Sequence, residues 1–334
     1  MKAFLLRFLL FVLFLAGVGG AAAWWVLERP LPLDAAQIDF TVQRGANMRQ
    51  AAQLIHHAGV GVDPAVLYWV ARASGKAERI IAGSYEVHQG LTLWQLILKL
   101  SNGDVSQGAL TVVEGWNFRQ MRALIDAHPH LLQDTAALSD SELLQRIGAS
   151  ESHPEGLFFP DTYLFDKHSS ALAVYRRAYL AMQERLLAAW EERHPQLPLR
   201  NPYEALILAS IIEKETERAD ERGLVASVFV NRLRIGMRLQ TDPTVIYGYG
   251  EEFEGRLRRR HLDTDHPWNT YTRAGLPPTP IALPGPDALA AALRPPPSEY
   301  FYFVARGDGS SQFSRNLADH NRAVNRYQRG GGGS

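Results

Sequence analysis

A run of 20 uncharged, mostly apolar residues, 8–27, lies near the start of this 334-residue sequence. As a helix with a rise of about 1.5 Å per residue, the run is long enough to cross the hydrocarbon core of a bilayer. The sequence therefore predicts a transmembrane anchor at 8–27. This feature constrains the chain most, because it determines where the remaining residues can fold and act.

The charges that flank the run predict its orientation. Two basic residues, Lys2 and Arg7, precede it. By the positive-inside rule, residues 1–7 are expected in the cytoplasm and the rest of the chain in the periplasm, held at the inner membrane by a single pass. A cleaved signal peptide is the alternative, because the alanines at 21–23 have the small side chains of a cleavage site.

Composition narrows the range of functions. The 35 basic residues balance 35 acidic ones, which argues against a nucleic-acid partner. The absence of cysteine excludes disulfides, zinc–thiolate sites and a cysteine nucleophile. The 11 histidines form no HExxH motif, and the sequence has no P-loop, so we expect no metal and no cofactor. Residues 330–334, GGGGS, have the composition of a flexible linker.

A pattern of short alternating strand, glycine and helix occurs three times in the first third of the chain. The glycine is expected at a positive φ, and a polar residue just after it is expected to cap the helix. The three strand–glycine segments are 40–45, 85–90 and 110–115, and the three predicted caps are Asn47, Thr92 and Asn117.

The first two repeats, within residues 38–108, resemble the LysM module, a small βααβ fold that binds N-acetylglucosamine polymers. Between them, Asp63 and Pro64 are placed to cap and begin a further helix. The resemblance implies a LysM-like domain at 38–108. The alternative is that these repeats are ordinary α+β packing units without a ligand.

The strongest helical pattern covers residues 203–217, YEALILASIIEKETE, with Asn201 as its predicted cap and Pro202 in the first turn. Its apolar residues cover so much of the circumference that the helix is expected to be buried on most sides. A helix from 223 to 235 is expected to follow. The segment 237–248 then has a turn-rich composition typical of a site.

Two carboxylates end the buried helix, and their spacing distinguishes them. Glu215 follows Ile211 and Ile212 by four and three residues, so it continues the apolar stripe. Desolvation there would raise its pKa and make it a suitable general acid. Glu213 is the second candidate. In the other interpretation, both carboxylates belong to a solvated helix end.

Several strings resemble the endolytic murein transglycosylase, or YceG-like, family. They are IIEKET at 211–216, SVFVNRLRIGMRLQTDPTVIYG at 227–248, EGLFFPDTY at 155–163, NTY at 269–271, GLPP at 275–278 and NLADHN at 316–321. The resemblance implies that the catalytic residue is Glu215. It also implies a cleft for glycan strands, with these candidate binding residues: Gln240, Thr241, Asp242, Tyr247, Asn269, Asp161 and Tyr163.

The resemblance implies a lytic transglycosylase of α+β fold, with the anchor and the LysM-like domain followed by a mostly helical catalytic domain at 109–329. Such an enzyme cleaves the bond between N-acetylmuramic acid and N-acetylglucosamine, leaves 1,6-anhydro ends and terminates glycan elongation, with peptidoglycan synthases as partners. Two alternatives remain open. One is a peptidoglycan-binding scaffold without catalysis. The other is a muramidase-type hydrolase, for which Asp242 is the nearest second carboxylate.

Overall fold

A computed structural model describes residues 2–329, and it confirms the α+β class predicted from the sequence. The chain folds into two compact units, one formed by the residues up to 108 with 164–169, the other by 109–163 with the residues from 170 onward. Met1 and the predicted linker at 330–334 lie outside the described residues.

Helix α1 (Lys2–Glu28) contains the apolar run. From Phe8 to Val26 its large apolar side chains are exposed all round the helix. Residues Leu6–Glu28 are long and apolar enough to cross a membrane. Because so much apolar surface is left uncovered by protein, α1 is a candidate membrane span.

The first unit continues with a strand, two helices, a strand and a helix. The two strands pair antiparallel, with Phe40 opposite Tyr85, and their rings stack at 5.6 Å. The helices cover one face of this ribbon and bury its alternate apolar side chains. The elements are β1 (Gln37–Val42), α2 (Met48–His57), α3 (Pro64–Ala73), β2 (Gly83–His88) and α4 (Leu93–Asn102).

The local signals of the threefold pattern are confirmed. Each predicted cap forms a reciprocal capping box with a glutamine three residues later, and each preceding glycine has a positive φ. The caps are Asn47, Thr92 and Asn117, and the glycines are Gly45 (φ 83°), Gly90 (φ 93°) and Gly115 (φ 75°).

The returning segment 164–169 is fastened to the first unit through Lys167. Its ammonium group forms ion pairs with Glu86 and, at 3.5 Å, with Asp39, which stand opposite each other on β2 and β1. The Ser84 hydroxyl donates a hydrogen bond to the Lys167 carbonyl. A half-buried cation held by two carboxylates, together with a backbone contact, fixes this segment on the ribbon.

The second unit is mostly helical. Strands β3 (Gln107–Thr111), β5 (Thr162–Asp166) and β6 (Ser169–Ser170) contain the points where the chain passes between the units. Strand β4 (Leu131–Leu132) is short, and β7 (Tyr302–Ala305) and β8 (Ser311–Ser314) pair as an antiparallel hairpin. The helices are α5 (Phe118–Asp126), α6 (Asp140–Ile147), α7 (Ala171–Glu191), α8 (Pro202–Glu215), α9 (Ala219–Arg234), α10 (Asp242–Tyr249), α11 (Arg259–Asp263), α12 (Pro286–Leu293) and α13 (Leu317–Val324).

Helix α8 is the centre of the second unit. Every residue from Ala205 to Ile212 is buried, and α8 packs against α7, α9, α10 and α12. The Asn201 side chain accepts a hydrogen bond from the Glu204 N–H at 2.9 Å, as predicted. The helix ends two residues before the predicted end because Thr216 has an extended backbone (φ −147°, ψ 131°).

One expectation about local structure was incomplete. Residues 237–248 were expected to be turn-rich, but α10 begins at Asp242 and takes up half of this segment. An acidic residue followed by Pro243 is a signal for a helix start, and it outweighs the glycine at 248. The segment is thus a turn that leads into a short helix.

Candidate active site

Glu215 is the last residue of α8 and follows the fully buried turns of this helix. The residue is half-buried, and its Oε2 accepts a hydrogen bond from the Thr241 hydroxyl at 2.7 Å. Thr241 stands at the N-cap position of α10, but its hydroxyl does not cap that helix. The hydrogen bond between Thr241 and Glu215 therefore joins the end of α8 to the start of α10.

Burial raises the pKa of the Glu215 carboxyl above its ordinary value. The Thr241 hydrogen bond and the Arg232 charge oppose this rise, whereas the Asp242 charge adds to it. The position at the carboxyl end of α8, where the helix dipole is negative, also disfavours the anion. The environment therefore favours the protonated form of Glu215 relative to an exposed glutamate.

Two other threonines, Thr244 and Thr270, hold the backbone of Thr241 in place. The Thr241 N–H donates to the Thr270 hydroxyl oxygen at 3.1 Å, and the Thr244 hydroxyl donates to the Thr241 carbonyl at 2.7 Å. The Thr244 and Thr270 hydroxyls are 2.9 Å apart, and both side chains are buried. Because this network fixes the Thr241 backbone, the hydroxyl is oriented toward Glu215.

Arg232 of α9 supports the same turn from inside the protein. Its guanidinium group is buried and donates to the Leu239 carbonyl at 2.5 Å and to the Phe301 carbonyl at 2.7 Å. The segment that carries Thr241 is thereby tied to the start of the β7–β8 hairpin. A positive charge is thus held near Glu215.

Asp242 and Gln240, two of the sequence-predicted cleft residues, flank Thr241 and are exposed. The Tyr271 hydroxyl donates to Asp242 Oδ1 at 2.5 Å. Gln240 has a left-handed backbone (φ 50°), which turns the chain into α10. Both residues are thus next to the contact between Thr241 and Glu215 and are accessible from solvent.

Asn269 is placed differently from Asp242 and Gln240. Its side chain is fully buried, and its amide group donates to the carbonyls of Leu262 and Thr264 at 3.0 and 2.7 Å. Its Oδ1 accepts from the Tyr271 N–H at 2.8 Å. These bonds tie the loop around the site together, and they leave the side chain no group free for a sugar.

Asp161 and Tyr163 form hydrogen bonds with residues near them in the chain. Tyr163 is buried and its hydroxyl donates to the Phe159 carbonyl at 2.5 Å. The exposed Asp161 accepts from the Thr162 N–H at 2.7 Å and lies 3.9 Å from Arg185. None of these contacts involves Glu215 or the threonine network.

Glu213, the alternative acid, faces another helix. Its Oε2 accepts the Gly285 N–H at 2.9 Å, at the start of α12. Burial raises its pKa, and the Gly285 hydrogen bond opposes the rise. A Cβ atom at Gly285 would lie 2.3 Å from the Glu114 carboxyl, so two acids crowd this helix end. Glu213 thus caps α12.

A cavity of about 590 Å³ opens beside this site. Lys214 lines it, whereas the Glu215 side chain does not, and α10 contributes Pro243, Ile246 and Tyr247 to its wall. Tyr247 meets Trp268 edge-to-face at 5.6 Å. The helix that begins at the Glu215 contact therefore continues as a wall of the cavity, and Tyr247, a predicted cleft residue, lines it.

The sequence analysis did not single out Glu155, which lines the cavity and is only 3% exposed. Its Oε1 accepts the Phe118 N–H at 3.0 Å, and the Tyr247 hydroxyl is a further partner. Burial raises its pKa to about 7. The signal in the sequence was the carboxylate directly before the apolar run at 156–159, which predicts burial.

Within residues 2–329, no three histidine, aspartate or glutamate side chains converge as a metal-binding group. The chemistry that the described residues offer is proton transfer by a desolvated carboxyl group beside an accessible cavity.

Comparisons with known proteins agree on one family. The YceG-like family model matches residues 40–326. The endolytic murein transglycosylase of Bacillus subtilis (strain 168) is 30% identical over 330 residues, which cover 93% of this chain and 91% of the relative. That of Streptococcus pneumoniae is 25% identical over 97% of this chain and 65% of the relative. The crystal structure of a yceG-like protein from Listeria monocytogenes aligns with a TM-score of 0.53 at 27% identity, over 86% of this chain and 98% of that chain.

Replacing the buried Glu155 should change how stability depends on pH. Its folded-state pKa of about 7 exceeds the ordinary 4.5, so the stability gained from the bound proton is present below pH 4.5 and is lost as pH rises to about 7. Glu155→Gln should therefore match the wild type at pH 4 and be more stable by about 3 kcal/mol at pH 8. Thermal unfolding from pH 4 to 8 measures this. The exposed Glu252→Gln is the control, and parallel wild-type and Glu155→Gln profiles would contradict the prediction.

Proposed function

This chain belongs to the YceG-like family, and from that premise we propose that it is a membrane-anchored lytic transglycosylase that cuts peptidoglycan strands internally. The observation that carries the proposal is the Glu215 carboxyl, which is desolvated and held by Thr241 at the start of α10, a helix whose side chains line a solvent-accessible cavity. A protein that only binds glycan needs no such group.

In the proposed first step, Glu215 acts as the general acid. Its proton passes to the oxygen of the bond between N-acetylmuramic acid and N-acetylglucosamine, and this C1–O bond breaks. Thr241 donates to Oε2, so the acid proton is carried on Oε1 and directed away from the threonine. Burial raises the pKa of this carboxyl, which favours the protonated form that the first step requires.

In the second step, the resulting carboxylate acts as the base. It takes the proton of the muramic acid C6 hydroxyl, whose oxygen forms a bond to C1 and closes the 1,6-anhydro ring. The nucleophile belongs to the substrate, so holding it near C1 supplies much of the rate. The nearby charge of Arg232 and the Thr241 hydroxyl stabilise the Glu215 anion between the two steps.

The exposed residues around the turn are proposed to contact the glycan. Gln240 and Asp242 are accessible next to Glu215, and Tyr247 with Trp268 offers aromatic surface in the cavity. Asp161 and Tyr163 are also proposed to contact the glycan, although their side chains contact Thr162, Arg185 and Phe159 and do not contact Glu215. Asn269 would act by holding the loop.

The rest of the chain is proposed to bring this site to its substrate. Helix α1 would anchor the protein in the inner membrane, with residues 1–7 in the cytoplasm and the catalytic domain, 109–329, in the periplasm. The β1–α2–α3–β2 order supports a LysM-like domain at 38–108 that holds a glycan strand. Near the membrane, peptidoglycan synthases would be partners, and cutting nascent strands would end their elongation.

The assignment of Glu215 predicts a specific pattern of losses. Glu215→Gln should abolish release of anhydro-ended fragments from purified, uncross-linked strands, a loss of at least about 1,000-fold, because Glu215 is the proposed source of the proton. Glu213→Gln keeps an acceptor for the Gly285 N–H and should retain most activity. Mass spectrometry of the products distinguishes the mechanisms, since hydrolysis adds one water. Hydrolysed ends that depend on Asp242 would support the muramidase alternative.

Removing the Thr241 hydroxyl should shift the pH dependence of the reaction. Thr241→Val removes a hydrogen bond that lowers the Glu215 pKa, so the pKa rises and the high-pH limb of the kcat profile moves upward. We expect kcat to fall about tenfold, because the acid is less well oriented and its anion less stabilised. Thr241→Ser is the matched control and should behave like the wild type. A Thr241→Val enzyme with an unchanged pH profile would refute this role.

Anchoring by α1 predicts membrane localisation that survives an alkaline wash. A chain that lacks residues 2–28 should instead appear in the soluble periplasmic fraction when it is exported with a cleavable signal. The intact mass of the membrane-bound protein tests retention of 8–27 directly. A mature chain that begins just after residue 23 would establish the signal-peptide alternative.

A further inference from the structure

The cavity beside Glu215 carries charges that a neutral sugar would not require. Lys214 and Arg119 both line it, together with an apolar strip formed by Pro243, Ile246 and Ile281. A ligand that matches both the cations and the apolar strip would have small apolar groups close to an anionic group. A pyranose ring with its hydroxyl and acetamido groups offers no charge for the two cations.

Lys214 is available to an incoming anion. Its ammonium group donates to the Gly115 carbonyl at 3.1 Å and, within residues 2–329, forms no ion pair. The side chain is exposed, and it precedes Glu215 in the chain. An anion bound to Lys214 would therefore lie at the same end of α8 as the proposed general acid, although the two side chains leave the helix in different directions.

Arg119 is a second cation at the cavity, and its ion pair with Glu251 is exposed to solvent. It pairs at 2.7 Å with Glu251, and both side chains are largely exposed. Exposed pairs of this kind contribute little, so a ligand carboxylate can replace Glu251 at small cost. Glu155 lines the cavity too, but its carboxyl is engaged by the Phe118 N–H and by Tyr247. It therefore forms part of the wall, where it interacts with the Arg119 charge but, among the described residues, forms no ion pair with Arg119 or Lys214.

We propose that this cavity binds the peptide substituent of N-acetylmuramic acid. The lactyl and alanyl methyl groups would pack on Pro243, Ile246 and Ile281, and a peptide carboxylate would bind Lys214 and Arg119. This rests on the proposed peptidoglycan substrate and adds a preference, namely that strands bearing acidic stem peptides are bound more tightly than strands without that charge.

The test measures binding separately from cleavage. The probe is N-acetylglucosaminyl-N-acetylmuramic acid carrying L-Ala-D-Glu, which lacks the scissile bond, and its partner is the same compound with both glutamyl carboxylates amidated. The full-length wild type, titrated in detergent with each compound, should bind the acid about tenfold more tightly. Lys214→Met should reduce affinity for the acid about tenfold and so abolish the preference. Arg259→Met, at an exposed pair with Asp263, is the matched control.

Equal affinities of the wild type for the two compounds would overturn the proposal. So would a Lys214→Met variant that loses affinity equally for both, since that pattern indicates a general structural effect. Failure of the proposed function would be seen in a different assay, as wild-type protein that releases no anhydro-ended product from strands. The two failures are therefore distinguishable.

Discussion

Burial of helix α8 on all sides is the constraint on which the catalytic unit depends. From Ala205 to Ile212 the helix has no solvent-facing side, so four other helices are arranged to cover it. Ser210 is polar within this stretch, and its hydroxyl donates to the Ile207 carbonyl, whereas two carboxylates appear in the last turn of the helix. Because the helix dipole is negative there, each carboxylate needs a donor. The starts of α12 and α10 lie beside the end of α8, where they supply these two donors.

The two carboxylates are satisfied by two different helix starts. Glu213 accepts the backbone N–H of Gly285 at the start of α12, an ordinary structural cap. Glu215 accepts only a hydroxyl, from the N-cap residue of α10. With the acid proton on Oε1, Oε2 still accepts from the Thr241 hydroxyl, and it does so equally in the carboxylate. Glu215 can therefore exist in both protonation states without losing its partner, which suits the proposed change from acid to base.

Sequence reasoning succeeded where the signal was local. The caps Asn47, Thr92 and Asn117 and the choice of a buried helix at 203–217 depend on short-range spacing, and the structure contains all of them. It failed where a polar residue had two possible uses. Asn269 in a turn can bind a sugar or tie carbonyls together, and only the three-dimensional loop decides this. The partnership of Arg232 with the Leu239 carbonyl likewise depends on how α9 packs.

Helix α10 couples the chemistry to the cavity, since one end of it holds Glu215 and its side chains further along form the cavity wall. A ligand that presses on Pro243 and Ile246 acts on the same turn that positions Thr241. The Thr244 hydroxyl bonds back to the Thr241 carbonyl, so a shift of the first turn of α10 would move the partner of the acid. Occupation of the cavity would then stabilise the orientation of the acid as well as hold the substrate. Binding energy from a part of the substrate that does not react can in this way contribute to the reacting centre.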